Sequence, residues 1–96
     1  MSMLATALTA KPGMEVELHD RLLVQARDCL AGIPGCAHFI ILRDTLNHRV
    51  VHVLEAYKDE MAFKARTESE SYKKLEAILA ELVIERRSEG VSRREA

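Results

Sequence analysis

The segment that decides the fold is residues 36–57, with the sequence CAHFIILRDTLNHRVVHVLEAY. It contains two apolar runs, Phe39–Leu42 and Val50–Leu54, which are separated by the polar stretch DTLNH at residues 44–48. Runs rich in β-branched residues and bounded by turn-forming Asp and Asn are typical of strands joined by a turn. The segment is therefore predicted to form a β-hairpin.

Both faces of this hairpin are apolar. Successive residues of a strand point to opposite sides, so Phe39 and Ile41 lie on one face and Ile40 and Leu42 on the other. A single layer of helices covers only one face, and the other would remain an apolar patch large enough to drive association. The sequence therefore predicts a homodimer that forms through the sheet.

A helix is predicted before the hairpin, because the turn sequences Lys11–Gly13 and Ile33–Gly35 bracket a periodic segment. Apolar residues recur there at steps of three and four: Val16, Leu22, Leu23, Ala26, Cys29, Leu30 and Ile33. Residues 1–10 alternate Leu and Thr with small residues and are predicted to form a first strand. The hairpin is thus preceded by a strand and a helix.

The hairpin leads directly into a predicted pair of helices. Asp59 is positioned to cap a short helix, and a break is expected near Ser69. Thr67 and Glu70 have the spacing of a capping box at the start of a second helix. A helical stripe then follows: Tyr72, Leu75, Ile78, Leu79 and Leu82. Residues 83–89 fit either a last strand or an extension of this helix, since the run is too short for its periodicity to distinguish them.

This order of elements matches the β-α-β-β-α-β arrangement of a ferredoxin-like α+β sandwich, an antiparallel sheet with helices on one face. The 96 residues are enough for one domain. We expect that domain to span residues 1–89 and residues 90–96 to form a mobile tail.

The charge of the chain is nearly balanced, with 14 Lys and Arg against 15 Asp and Glu. This balance supplies no field for capturing nucleic acid or an anionic membrane surface, and every apolar run is far shorter than the roughly 20 residues of a membrane span. No basic export signal precedes the first strand, so the predicted compartment is the cytoplasm. Cys29 and Cys36 are accordingly predicted to be buried thiols.

The histidines at positions 19, 38, 48 and 52 have no metal-ligand spacing, so no metal site is predicted, and the chain is too short for a dinucleotide-binding unit. A hairpin turn over residues 45–48 would place His38 opposite Glu55 and His52 opposite Ile41. The first pair is a candidate acid–base pair. A purely structural pair at a strand edge or a dimer face is the alternative.

Three motifs resemble the antibiotic biosynthesis monooxygenase (ABM) domain family. They are Lys11–Gly13 before an acidic helix, Pro34–Cys36 opening a strand that ends at Leu42–Asp44, and residues 53–60, VLEAYKDE, followed by a helix. The resemblance implies a dimeric α/β barrel with a ligand cavity between the helices and the sheet of each subunit. It also implies oxidation of a small aromatic substrate, such as a quinol or polyketide, by dioxygen without a cofactor.

The resemblance also suggests which residues act. It places Tyr57, Arg66 and Tyr72 in the cavity wall. Arg66 joins His38 and Glu55 as a candidate catalytic residue, and the predicted ligand-binding residues are Tyr57 and Tyr72 together with Phe39 and His52. The alternative is that Tyr72 begins a core stripe and Arg66 is a solvated helix residue. The chain departs from the family in having Tyr57 where Trp is frequent and Arg66 where His is frequent, and haem degradation is not expected because the chain has no Trp. Two alternatives stay open, a non-catalytic dimeric binding protein and a stress-responsive dimeric α/β barrel protein, which is similar at Ile33–Gly35.

Overall fold

Four strands form one antiparallel sheet in the order β2-β3-β1-β4, and three helices pack on one of its faces. The computed structural model describes residues 1–92. The elements are β1 (Ser2–Ala10), α1 (Glu15–Gly32), β2 (Cys36–Arg43), β3 (Val50–Tyr57), α2 (Glu60–Glu68), α3 (Glu70–Leu82) and β4 (Val83–Ser92). The predicted ferredoxin-like α+β fold is confirmed.

The last element is a strand and not an extension of the helix before it. β4 starts at Val83, directly after α3, and pairs with β1 from Ala10↔Val83 to Ser2↔Ser92. The strand therefore passes the expected domain boundary at residue 89. Residues 93–96 of the predicted tail lie outside the described residues.

The register of the hairpin differs by one residue from the prediction. Phe39, and not His38, lies opposite Glu55, whereas His38 lies opposite Ala56. The turn explains the difference, because the Asp44 carboxylate accepts hydrogen bonds from two backbone N–H groups of the loop, and the Asp44 N–H donates to the carbonyl of Val50. A shift of one residue exchanges the two faces of a strand, so the predicted His38–Glu55 pair does not form.

The core lies between the helices and one face of the sheet. Its large buried side chains include Leu8 from β1, Leu18 and Leu22 from α1, and Leu75 and Leu79 from α3. The opposite face carries large apolar side chains that are 39–46% exposed: Met3, Ile40, Leu42 and Leu54. One apolar face is therefore covered within the chain and the other is open.

Helices α2 and α3 meet at Ser69. Asp59 caps α2 as predicted, accepting from the Ala62 N–H at 2.8 Å. The predicted capping box is wrong, because Thr67 lies inside α2 and the cap of α3 is Ser69, whose hydroxyl accepts from the Tyr72 N–H at 3.2 Å. The same hydroxyl donates to the Arg66 carbonyl at 2.7 Å. The junction therefore brings Arg66 and Tyr72 close together.

The helices of residues 1–92 offer no segment that is both long enough and apolar enough to cross a membrane.

Candidate functional site

A buried ion pair lies between the sheet and the helices. Glu55 points from β3 toward the helices and Arg66 points inward from α2, and their side chains are only 9% and 3% exposed. Arg66 Nε lies 3.6 Å from Glu55 Oε1, which is too long for a hydrogen bond. Among residues 1–92, this Nε is the buried side-chain atom left without a hydrogen-bond partner. The pair therefore retains one unused donor.

Tyr57 contacts the same carboxylate oxygen as Arg66. It follows Glu55 by two residues on the same face of β3, and its hydroxyl donates to Glu55 Oε1 at 2.6 Å. Burial and, next, this hydrogen bond raise the pKa of Tyr57, so the hydroxyl stays protonated and acts as a donor. Glu55 is thus an acceptor between a neutral donor and a cation.

The guanidinium of Arg66 lies between two aromatic rings. Its Cζ atom is 5.4 Å from the centroid of Phe39 and 4.7 Å from that of Tyr72, within the range of cation–π attraction. The Gln25 amide oxygen, in the orientation that satisfies it, accepts from Arg66 Nη1 at 3.2 Å and from the Ser71 hydroxyl at 3.0 Å. These contacts fix the orientation of the guanidinium.

A cavity of about 50 Å³ adjoins the ion pair. Its apolar walls come from both layers and include Leu4, Leu8, Leu22, Val53, Leu75 and Leu79. Its charged lining residues are Glu55, Arg66, Glu76 and Arg86. This volume accommodates a few water molecules, and it is well below the several hundred Å³ of typical ligand pockets.

A second ion pair closes the side of the cavity near β4. Arg86 donates two hydrogen bonds to Glu76 of α3, at 2.7 and 3.0 Å, and this interaction lowers the pKa of Glu76. Burial and, next, a hydrogen bond with Glu76 raise the pKa of Tyr72. Helix α3 and strand β4, joined by the Glu76–Arg86 ion pair, thus form the rim of the cavity.

Two cysteine thiols lie next to Tyr57. Cys29 of α1 is fully buried and Cys36 of β2 is half-buried, so the expectation of buried thiols holds fully only for Cys29. Their Sγ atoms are 3.3 Å apart, and Cys29 Sγ is 3.6 Å from the Tyr57 hydroxyl. Burial, with the contact to Cys29 next in importance, raises the pKa of Cys36 to about 12.

The structure brings together five of the seven predicted site residues and separates the other two. Glu55, Arg66, Tyr57, Tyr72 and Phe39 form the cluster described above. The two outside it are His38, which is exposed, and His52, whose ring nitrogen lies 2.9 Å from Asp44 Oδ2 on the open face of the sheet. The hydrogen bond with His52 lowers the pKa of Asp44. The observed hairpin register pairs His38 with Ala56 and His52 with Leu42, and both side chains lie outside the cluster.

Several residues of the cluster were not predicted as site residues: Gln25, Cys29, Cys36, Ser71, Glu76 and Arg86. One of them has a signal in the sequence. Gln25 lies on the helical face of Leu22, Ala26 and Cys29, and a polar residue within an apolar stripe indicates a buried partner.

The fold defines the class of the protein, a ferredoxin-like α+β sandwich with one open sheet face. Within that class, the sequence model of the family described as antibiotic biosynthesis monooxygenase matches residues 1–78. The chain belongs to this family. No curated protein matches the sequence.

Solved structures of the same fold come from several bacteria. A protein from Caulobacter crescentus, provisionally named an antibiotic biosynthesis monooxygenase, has a TM-score of 0.91 and 22% identity, covering 98% of this chain and 90% of that one. A Deinococcus radiodurans protein with the same provisional name has a TM-score of 0.91 and 16% identity, covering 100% and 95%. PA3566 from Pseudomonas aeruginosa has a TM-score of 0.88 and 17% identity, covering 98% and 94%. At these identities the likeness shows the fold alone.

Within residues 1–92, no three His, Cys, Asp or Glu side chains come together in a group that could hold a metal ion.

Proposed function

We propose that the protein is a cofactor-independent monooxygenase that oxidises a small electron-rich aromatic compound, such as a quinol or an anthrone, with dioxygen. The observation that carries the proposal is a buried carboxylate and a buried guanidinium in the lining of a largely apolar cavity. Such a site can remove a proton from an apolar substrate and stabilise the anion that results. Membership of the ABM family supports the reaction class.

Glu55 is the candidate base and Arg66 the candidate anion-binding group. In this proposal the carboxylate takes a proton from the substrate, and the unused Nε–H of Arg66 donates to the developing oxyanion. Phe39 and Tyr72 keep the guanidinium oriented through their ring contacts. Tyr57 holds Glu55 in place through its hydrogen bond.

The substrate itself supplies all four electrons that the reduction of dioxygen requires, so no separate reductant is needed. For an anthrone, the carbanion formed by proton loss is oxidised by dioxygen, a carbon–oxygen bond forms, and protonation gives a hydroperoxide at that carbon. Cleavage of the oxygen–oxygen bond with loss of the second hydrogen then gives the ketone and water. The methylene group loses two hydrogens and gains one oxygen atom, and the second oxygen atom leaves as water.

The cavity must widen to admit such a substrate. In this proposal it widens at the junction of α2 and α3, where the chain leaves helical geometry at the extended Ser69. Tyr72 follows this junction and is half-buried at the rim. Movement of this side chain would connect the cavity with the surface while leaving Glu55 in the sheet.

We further propose that the protein works as a homodimer. The open sheet face carries Met3, Ile40, Leu42 and Leu54, which are large apolar side chains without a cover in the described residues. Burying such a patch against a second copy removes it from water. Light scattering after size exclusion should give twice the chain mass of 10.8 kDa, and Leu54→Asp should shift the protein toward the monomer. A wild-type monomer at micromolar concentration would contradict the dimer.

Oxygen consumption with anthrone and quinol substrates tests the reaction. Glu55→Gln should lower the rate of oxygen uptake by about 100-fold or more, the usual effect of losing a proton-transfer group. Arg66→Met should lower it by a similar factor, because it removes the donor to the developing oxyanion. His48→Ala is the matched control, since His48 is exposed in the hairpin loop. Circular dichroism of each variant at the assay temperature separates loss of activity from loss of fold.

A non-catalytic binding protein is the second candidate, because Glu55 is already hydrogen-bonded by Tyr57 and the cavity is small. The same assay separates the two functions. If anthrone or quinol binds, as measured by calorimetry, but no oxygen is consumed, the monooxygenase proposal is wrong and the binding function replaces it.

A further inference from the structure

The two cysteines lie side by side at the turn that joins α1 to β2. Cys29 is in the last turn of α1 and Cys36 opens β2, and their Sγ atoms are 3.3 Å apart with both thiols free. A disulfide bond is about 2.0 Å long, so an approach of about 1.3 Å would join them. We propose that Cys29 and Cys36 form a redox site that a hydroperoxide oxidises to a reversible disulfide within the chain.

The backbone between the two thiols is held in a fixed turn. The Ile33 N–H donates to the Cys29 carbonyl at 3.0 Å, and the Cys36 N–H donates to the Ile33 carbonyl at 3.1 Å. The turn requires glycine at position 35 for two reasons. Its φ is +89°, which side chains disfavour, and a Cβ there would collide with Ala62. Since the fold already closes the loop, joining the sulfurs demands little further ordering of the chain.

The difference in burial assigns the order of reaction. Cys36 is half-buried, whereas Cys29 is 1% exposed, so a hydroperoxide meets Cys36 first. The Cys36 thiolate attacks the peroxide, the oxygen–oxygen bond breaks, an alcohol leaves and Cys36 becomes a sulfenic acid. The Cys29 sulfur then attacks the Cys36 sulfur and releases water. Two thiols thus lose two electrons and two protons, and the peroxide is reduced to an alcohol and water.

The environment of Cys36 makes the first step dependent on pH. The titratable and charged groups facing it are Cys29 on α1, Glu55 and Tyr57 on β3, and Arg66 on α2. Burial and the contact to Cys29 raise the pKa of Cys36 to about 12, so only a small fraction is thiolate near neutral pH. Below about pH 12, the rate of oxidation should therefore increase about tenfold for each unit by which the pH is raised.

The redox site contacts the buried cluster. Cys29 Sγ is 3.6 Å from the Tyr57 hydroxyl, which in turn donates to Glu55. Disulfide formation removes the hydrogen of the Cys29 thiol and draws its sulfur toward Cys36. The surroundings of Tyr57 therefore change, while the helices and strands need not.

Mass spectrometry of the intact protein tests the disulfide independently of any oxygenase activity. The reduced full chain is treated with hydrogen peroxide, unfolded and alkylated with iodoacetamide. We expect a loss of about 2 Da and no alkylation, with both thiols recovered after dithiothreitol. Cys36→Ser should show no such loss, and Cys29→Ser should leave a sulfenic acid on Cys36 that dimedone traps.

Three results would overturn the proposal: two thiols that both remain open to alkylation after peroxide treatment, oxidation to sulfinic acids without the loss of two hydrogens, or a disulfide between two chains on a non-reducing gel. The wild-type measurement decides this even if a variant fails to fold. The link to the cluster has its own readout, because Tyr72→Phe leaves Tyr57 as the single tyrosine. The NMR signals of its isotope-labelled ring should shift on oxidation while the far-ultraviolet circular dichroism stays constant, and unchanged ring signals would show that the thiols do not act on Tyr57.

Discussion

Replacing Arg66 by methionine removes the cation that faces Glu55 while keeping most of the side-chain volume. At the observed 3.6 Å between Nε and Oε1, the attraction lost is about 4–5 kcal/mol with an effective dielectric constant of about 20. Part of this loss is offset, since Glu55 keeps the hydrogen bond from Tyr57. We therefore expect Arg66→Met to lower the free energy of unfolding by about 3 kcal/mol, as found when a buried ion pair loses one partner.

Thermal unfolding at a fixed protein concentration measures this effect. For a domain of this size, a loss of about 3 kcal/mol corresponds to a decrease in Tm of roughly 12–24 °C. Lys64→Met is the matched control, because it makes the same change on the exposed side of the same helix, where Lys64 pairs only loosely with Glu68. Its effect should stay within about 0.5 kcal/mol.

A double-mutant cycle supplies the refutation. Glu55→Gln leaves Arg66 buried without a counter-charge and should also be destabilising, but the double variant Glu55→Gln/Arg66→Met contains neither charge. It should be more stable than the sum of the two single effects predicts, by about 2 kcal/mol or more. Additive effects, or an Arg66→Met variant as stable as Lys64→Met, would show that the two charges do not interact as the structure indicates.

Three further predictions concern the elements around the site. Asp59→Ala removes the cap of α2 and should lower stability by about 1 kcal/mol in urea unfolding, whereas Asp59→Asn should retain most of it. Gly35→Ala should destabilise the fold by more than about 1 kcal/mol, because its Cβ would lie 2.8 Å from that of Ala62; a neutral effect would contradict the described turn. Arg86 lowers the pKa of Glu76 below 4.5, so this pair stabilises the protein above that pH and the contribution is lost as the pH falls through the lowered pKa. Glu76→Gln should therefore lower the urea midpoint at neutral pH but not in strong acid, and equal differences at both would refute it.

The sequence was sufficient for the architecture because local periodicity carries it. The apolar steps of α1 and the turn sequences on either side of it predict its extent, and Asp59 predicts the start of α2. Two apolar faces on one hairpin predict an open sheet face, which Ile40 and Leu42 display. Each of these signals depends on residues that are close in the chain.

The candidate site was predicted only in part. The family resemblance predicts that Tyr57, Arg66 and Tyr72 share a cavity, and in the structure they lie together with Phe39 around Glu55. The thiol pair and the rim pair were not anticipated as parts of the site. Cys29 and Glu76 look like ordinary helix residues in the sequence, and their partners come from other elements.

What the tertiary structure alone decided is the direction in which side chains point. The carboxylate of Asp44 sets the hairpin turn, and the turn sets a register in which Phe39 instead of His38 lies opposite Glu55. A single-residue shift exchanges the two faces of a strand, and no local pattern separates these registers when both faces are apolar. Residues 83–92 likewise form a strand, because their backbone pairs with the edge of β1 that β3 does not occupy. By itself the sequence therefore determined which elements form, whereas hydrogen bonds between distant segments decided which of their residues meet.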